Sequence, residues 1–478
     1  MRKCLYKRVR PREHFSVARI RSQETCDRSG MPTILDLPQE LLELVFSHLV
    51  NTPTLIRHPG YRPHSVACIV GSLRLVCRAW ADWLYEHHLY HTLSFTSSTQ
   101  SLAFIDYLGK RSRKLPRAKC QYLRVGSITT GDGPAPLSPT TWISAETLES
   151  LIDLFSDTIV TLDLTFVVFF TLPSQTINAL GRIKQLHNLW LDFKRGWPRS
   201  TDASIAGTQS ENSDVSSELA LSQESNVSIQ GTRSEELDAS MEGNRSEDLD
   251  AWIEEHPSWL NSLMMEAQGL KLLQLALPLF QMSIPDLMAG ARYPAITYLK
   301  VDVVRIRPNV LLSIATALKP SLKFLSLANC VEHTVQLLLP VYETLRETLE
   351  GFSVSFTQSL TPIRNLSFSK LRVLAVYWLT DFGLLSQPLF SQSPIEILAI
   401  AASSTTLDPL TLDTFSKLPQ LKKLVFMEAR PDYSPPTTWL KVCEARHIKC
   451  INVDHSELSL LAVSQIHQLL KFVVHFYL

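Results

Sequence analysis

Several things are missing from this 478-residue chain, and each absence removes a class of function. No stretch reaches the roughly 18 uninterrupted apolar residues that a membrane span requires, so no membrane anchor is expected. There is no net charge: 46 basic side chains balance 46 acidic ones. That argues against nucleic acid as the main partner. No two of the eight cysteines stand two residues apart, and no Cys/His group has zinc spacing. Cys443, His447 and Cys450 come nearest to a cluster, but they run into an apolar, strand-like stretch. The pattern suits a reducing compartment with free, mostly buried thiols. A Gly-x-Ser-x-Gly elbow, a His-Glu-x-x-His pair, a phosphate loop and a dinucleotide fingerprint are all lacking. The expectation is a non-catalytic protein that needs no cofactor or metal and offers binding surfaces, while any chemistry belongs to a partner. Charged residues make up only 19% of the chain, which is low for a freely soluble surface and points to a stable partner.

What is present begins with an Arg-rich leader, residues 1–33, that reads as unfolded. Next comes "DLPQELLELVFSHL" (36–49), in which Asp36 suits a helix cap and Pro38 a first turn. Leu37, Leu41, Leu42, Val45, Phe46 and Leu49 recur at helical spacing. A Pro-containing link leads to "SLRLVCRAWADWL", where Leu73, Val76, Cys77, Trp80 and Leu84 form a second apolar stripe. Helices this short bury too little to stand alone, so their remaining apolar face must meet something else.

The Leu-Pro opening, the spacing of the first helix and the "LRLVCRAW" run together resemble an F-box, the helical module that docks on the Skp1 adaptor of cullin-RING ubiquitin ligases. The link between the two halves is longer than usual for that family. The resemblance covers residues 34–88. It implies that Leu37, Pro38, Leu41 and Val45, with Leu75, Val76 and Cys77, contact the adaptor, and that Trp80 is the tryptophan of the module's core. It also implies a cytoplasmic or nuclear location.

Residues 89–478 read as a ladder. A six-residue phrase recurs, apolar at its first, fourth and sixth positions, from "YHTLSF" (90–95) to "IKCINV" (448–453). From residue 270 the steps are 26, 26, 49, 24, 26 and 27, and the step of 49 holds a poor copy, "LEGFSV" (349–354). That period suits one short strand plus a returning helix or coil. The expected fold class is α/β: neighbouring units stack into a solenoid whose parallel strands line the concave side, with helices or coil on the convex side. This resembles an irregular leucine-rich repeat of the kind joined to F-boxes in fungal proteins, with Asn329 in the position of the family's asparagine. A doubly wound sheet is the alternative, because its parallel strands read similarly.

Two segments fall outside the ladder. "GSITTGDGPAPLSPTT" (126–141) reads as a loop, and residues 200–250, with 12 acidic and two basic residues and no aromatic, read as a disordered insertion.

The second, third and fifth positions of each phrase should face away from the helices. In the last regular copies these are Arg372, Val373 and Ala375, then Glu396, Ile397 and Ala399, then Lys422, Lys423 and Val425, with Tyr377 and Trp378 following the first strand. An apolar and aromatic face rimmed by charge is expected to hold a target protein. Trp378 could instead fill the core behind the sheet. Two functions remain open on these residues: the substrate receptor of a ubiquitin ligase, or a scaffold that binds the adaptor without a cullin.

Overall fold

The computed structural model describes residues 39–51, 78–112, 117–130, 142–169, 172–193, 259–277, 292–330, 332–379, 385, 387–403, 414–429 and 433–454. The expected leader, the link between the two module halves and the acidic insertion lie outside these residues. The chain divides into two compact units, Met1–Ala81 and Asp82–Leu478.

In the first unit, α1 (Gln39–Asn51) is amphipathic, with Glu40 in its first turn. Leu42 and Phe46 are buried, whereas Leu41 and Leu44 are exposed. A second helix, α2 (Arg78–Leu84), crosses from this unit into the next. The residues that follow Ala81 belong to the second unit. Leu84 and Tyr85 are buried, the Tyr85 ring lies edge-on to Tyr90, and the Arg111 guanidinium sits 3.2 Å above it. Phe104, from α3 (Ser98–Gly109), joins Tyr90 to Phe95. Residues 82–89 thus close the first end of the sheet.

The second unit is built on twelve strands: β1 (Thr92–Phe95), β2 (Tyr122–Thr130), β3 (Thr161–Phe169), β4 (Asn188–Phe193), β5 (Leu272–Ala276), β6 (Tyr298–Asp302), β7 (Phe324–Ala328), β8 (Gly351–Phe356), β9 (Val373–Trp378), β10 (Ile397–Ala401), β11 (Lys423–Ala429) and β12 (Lys449–Asp454). They form one parallel sheet in strict chain order, with β1 and β12 at its edges. A doubly wound sheet would reverse its strand order at a switch point; this sheet has none.

Every strand from β1 to β11 begins at the third residue of its phrase, including β8 in the poor copy. The last copy departs from this rule. Lys449, the second residue of "IKCINV", pairs with Lys423, the third of "LKKLVF". The phrase as read is therefore one residue out of register, and a slip of one exchanges the two faces of a strand. Cys450 accordingly packs with the helix-side core, and Ile451 and Val453 lie on the other face. The segment expected to be a loop at 126–141 differs too, since Gly126–Thr130 continue β2 and Ile128 bridges to Ile143.

Between the strands run α4 (Ala145–Phe155), α5 (Ser174–Gly181), α6 (Trp259–Glu266), α7 (Pro308–Leu318), α8 (Leu339–Leu345) and α9 (Thr437–Ala445). Local chemistry sets their starts: Ser144 accepts a hydrogen bond from the Thr147 amide, and Pro308 occupies the first turn of α7. Their buried residues share a single cluster with the fourth and sixth residues of the phrases, for example Leu151, Leu311 and Trp439 with Leu164, Leu325 and Leu424. The helices therefore cover one face of the sheet. Burial pushes the thiols of Cys120 and Cys443 up to about 12 and that of Cys330 to about 11, so they stay protonated packing groups. Among the described residues no helix is long and apolar enough to cross a membrane.

Candidate interaction surface

The face opposite the helices is organised by register. Because the sheet is parallel and in register, equivalent phrase positions line up across neighbouring strands as rows.

The first row lies just before the strands, at the second position of each phrase. Its carbonyls accept from the amides opening the next strand, as Glu350 accepts from Val373 and Arg372 from Ile397. That fixes the backbone spacing and brings the side chains together. Lys323 and Glu350 meet at 2.9 Å. Arg372 donates to both oxygens of Glu396, and Lys422 approaches the same carboxylate at 3.4 Å. Charge thus alternates along five consecutive units. Burial alone would raise the Glu396 carboxyl, but hydrogen bonds and charge from Arg372 and Lys422 outweigh it and hold the group below its ordinary value. Lys323, Glu350, Lys370, Arg372 and Glu396 edge an open depression of about 470 Å³. At the far end Lys423 and Lys449 stand side by side, and burial together with Lys449 lowers the Lys423 ammonium.

The following rows, at the third and fifth positions, change character along the sheet. Over β2–β6 they are mostly polar and aromatic, with Leu272 buried beside Tyr298. The Tyr122 hydroxyl donates to Asp163 at 3.0 Å, Arg124 approaches that carboxylate at 3.3 Å, and the Tyr122 and Trp190 rings meet edge to face. Burial raises the Asp163 carboxyl in spite of both partners. Burial likewise lowers the Lys300 ammonium, opposed by Asp192 and Asp302. Just beyond the strands, Arg305 donates to the carbonyls of Phe193 and Ala276 and pairs with Asp302 at 3.2 Å, fastening the ends of β4, β5 and β6 together. In the middle, Phe324 lies over Gly351, where an added Cβ would come within 1.9 Å of the ring.

Over β9–β12 the same rows are apolar apart from Lys423 and its register partner Lys449. Ile397, Ala399, Val425, Met427 and Val453 form a cluster with Val373, Ala375, Tyr377 and Ile451. Of the residues expected on this face, Val373, Ala375 and Tyr377 are half-buried. Ile397 is only 5% exposed, so it is not the open anchor its position suggests. Trp378 is 44% exposed at the end of β9 and does not fill the core; Phe356, its register partner on β8, is 40% exposed.

In the first unit, Leu41 is exposed and Val45 half-buried. Trp80 falls in α2, while Leu37, Pro38, Leu75, Val76 and Cys77 lie outside the described residues. The polar rows over β2–β6 were missed from sequence because their members are scattered over some 180 residues. The charge row had a readable signal, the second residue of successive phrases: Lys323, Glu350, Arg372, Glu396, Lys422. Among the described residues no group of three or more His, Cys, Asp or Glu side chains is placed to hold a metal ion. Compared with protein-family models and with curated proteins, the chain matches no family model and no curated protein.

Proposed function

We propose that the protein is the substrate-recognition subunit of a Skp1-cullin-F-box ubiquitin ligase. Its first unit binds the adaptor, and its second is a leucine-rich-repeat solenoid that holds a target. The observation that carries this reading is α1. It buries Leu42 and Phe46 but leaves Leu41 exposed, in a compact unit separate from the sheet. An exposed leucine on an amphipathic helix that follows a Leu-Pro step in the sequence is the surface an adaptor of this type would take up. The regular parallel ladder supports the second half, since it offers a long face graded from polar to apolar. Catalysis is then positional: tethering a target raises its local concentration beside the loaded enzyme.

The test is the full-length chain with Leu37→Ala and Pro38→Ala together, expressed with its co-purifying proteins. The double variant should lose the adaptor and keep the thermal transition of the wild type. Recovery of the adaptor at the wild-type level would overturn the assignment. A cullin recovered with the wild-type chain supports the ligase; the adaptor alone supports the scaffold.

A further inference from the structure

Charge along the strand-opening row is balanced at one end and unbalanced at the other. Lys323 is answered by Glu350, while Arg372 and Lys422 share Glu396. Both carboxylates are thus committed to neighbours. Past them the cations accumulate. Lys423 follows Lys422 directly, and its register partner on β12 is Lys449. Lys370 stands on the rim of the open depression, two residues before Arg372. Among the described residues, neither Lys370 nor Lys449 makes an ion pair. Lys370, Arg372, Lys422, Lys423 and Lys449 therefore gather around the carboxylate of Glu396, in a chain whose total charge is zero.

Register holds this excess in place. Backbone pairing sets Lys423 and Lys449 about 5 Å apart across the two strands. Burial first, and then repulsion from Lys449 and Lys422, lowers the Lys423 ammonium, with Glu396 opposing. An anion seated between these ammonium groups removes the repulsion, and a positive patch beside a depression draws such an anion in. Its chemistry is narrowed by the row itself. Four strands span about 14 Å, the length of four to five residues of extended chain. Glu350 and Glu396 interrupt the positive run, which disfavours a continuous phosphate backbone. The second and third phrase positions that open β9–β12 hold no aromatic ring on which a base could stack.

We propose that this edge docks a short acidic segment of a partner protein, about four to six residues rich in Asp and Glu, whose carboxylates pair with Lys370, Lys422, Lys423 and Lys449. The docking rests on the second unit alone. Only the identification of that partner with the ligase target rests on the receptor reading.

The experiment titrates fluorescein-labelled hexaglutamate with the full-length chain and follows anisotropy at about 50 mM and about 300 mM NaCl. Saturable binding is expected at the lower salt, weakened about fivefold or more at the higher. Hexaglutamine should not bind. Lys423→Gln together with Lys449→Gln should weaken hexaglutamate binding about tenfold. Lys110→Gln together with Lys271→Gln removes the same charge at the end of α3 and the start of β5 and should leave binding unchanged. Absence of saturable binding, affinity independent of salt, or equal loss in the two double variants would overturn the proposal. So would tighter binding of a uridine hexanucleotide than of hexaglutamate. Should the first double variant fail to fold, Lys449→Gln alone, at an exposed position, should weaken binding about threefold, and an unchanged affinity would overturn the proposal. The titration contains no adaptor, so its failure is distinct from failure of the Leu37 and Pro38 test.

Discussion

Arg372 reaches across from the start of one strand to the next and holds both carboxylate oxygens of Glu396, at 3.2 and 3.0 Å. The pair is the centre of a row in which the residue before each strand answers the charge of its neighbour. Its geometry comes from backbone register, since each residue's carbonyl already binds the following strand.

Replacing Glu396 with Gln should cost about 1 kcal/mol near neutral pH. The Glu396 carboxyl is held below its ordinary value in the folded chain. Its contribution is therefore complete above the unfolded value of about 4.3 and is lost as the pH falls through the lower folded value. Chemical unfolding at pH 7 should separate wild type from variant, and the gap should close on acidification below about pH 4. A constant gap would mean that the pair does not set the difference.

Trp378 and Trp439 should respond in opposite ways to truncation. Trp439 is 1% exposed and meets Phe415 and Phe426 edge to face, so Trp439→Ala should cost about 3–5 kcal/mol. Trp378 is 44% exposed, and Trp378→Ala should change stability by no more than about 0.5 kcal/mol. If it serves a partner, that variant should lose co-purifying proteins other than the adaptor while its unfolding midpoint stays in place. A large fall in the midpoint would show that Trp378 supports the fold instead.

Gly351 and Phe324 should be energetically coupled. A methyl group at residue 351 collides with the Phe324 ring, so Gly351→Ala forces the ring off the sheet and should cost about 1–3 kcal/mol. In a Phe324→Ala background the same change should be nearly neutral. A double-mutant cycle reads this directly, and additive costs would exclude the collision as the cause.

The repeating frame was legible because it rests on local chemistry. Alternation sets a strand, a fixed period returns the chain, and a unit that cannot bury its own apolar side must stack on the next. Eleven strands start at the same place in their phrases for that reason. β12 shows the limit of such reading. "IKCINV" offers an apolar residue at each required position, yet the chain pairs one residue away and turns Ile451 and Val453 to the opposite face. In a β-strand both registers are locally equivalent, and only pairing with β11 distinguishes them.

From the sequence alone came the parallel ladder, its period and the division of each strand into two faces, because these depend on residues a few positions apart. Tertiary structure decided what each face does. It buried Ile397 and exposed Trp378, joined Glu396 to two cations from neighbouring units, and laid Phe324 over Gly351. Those outcomes depend on side chains some 20 or more residues apart in the chain but about 5 Å apart across the sheet, and no local pattern encodes which neighbour a strand will meet.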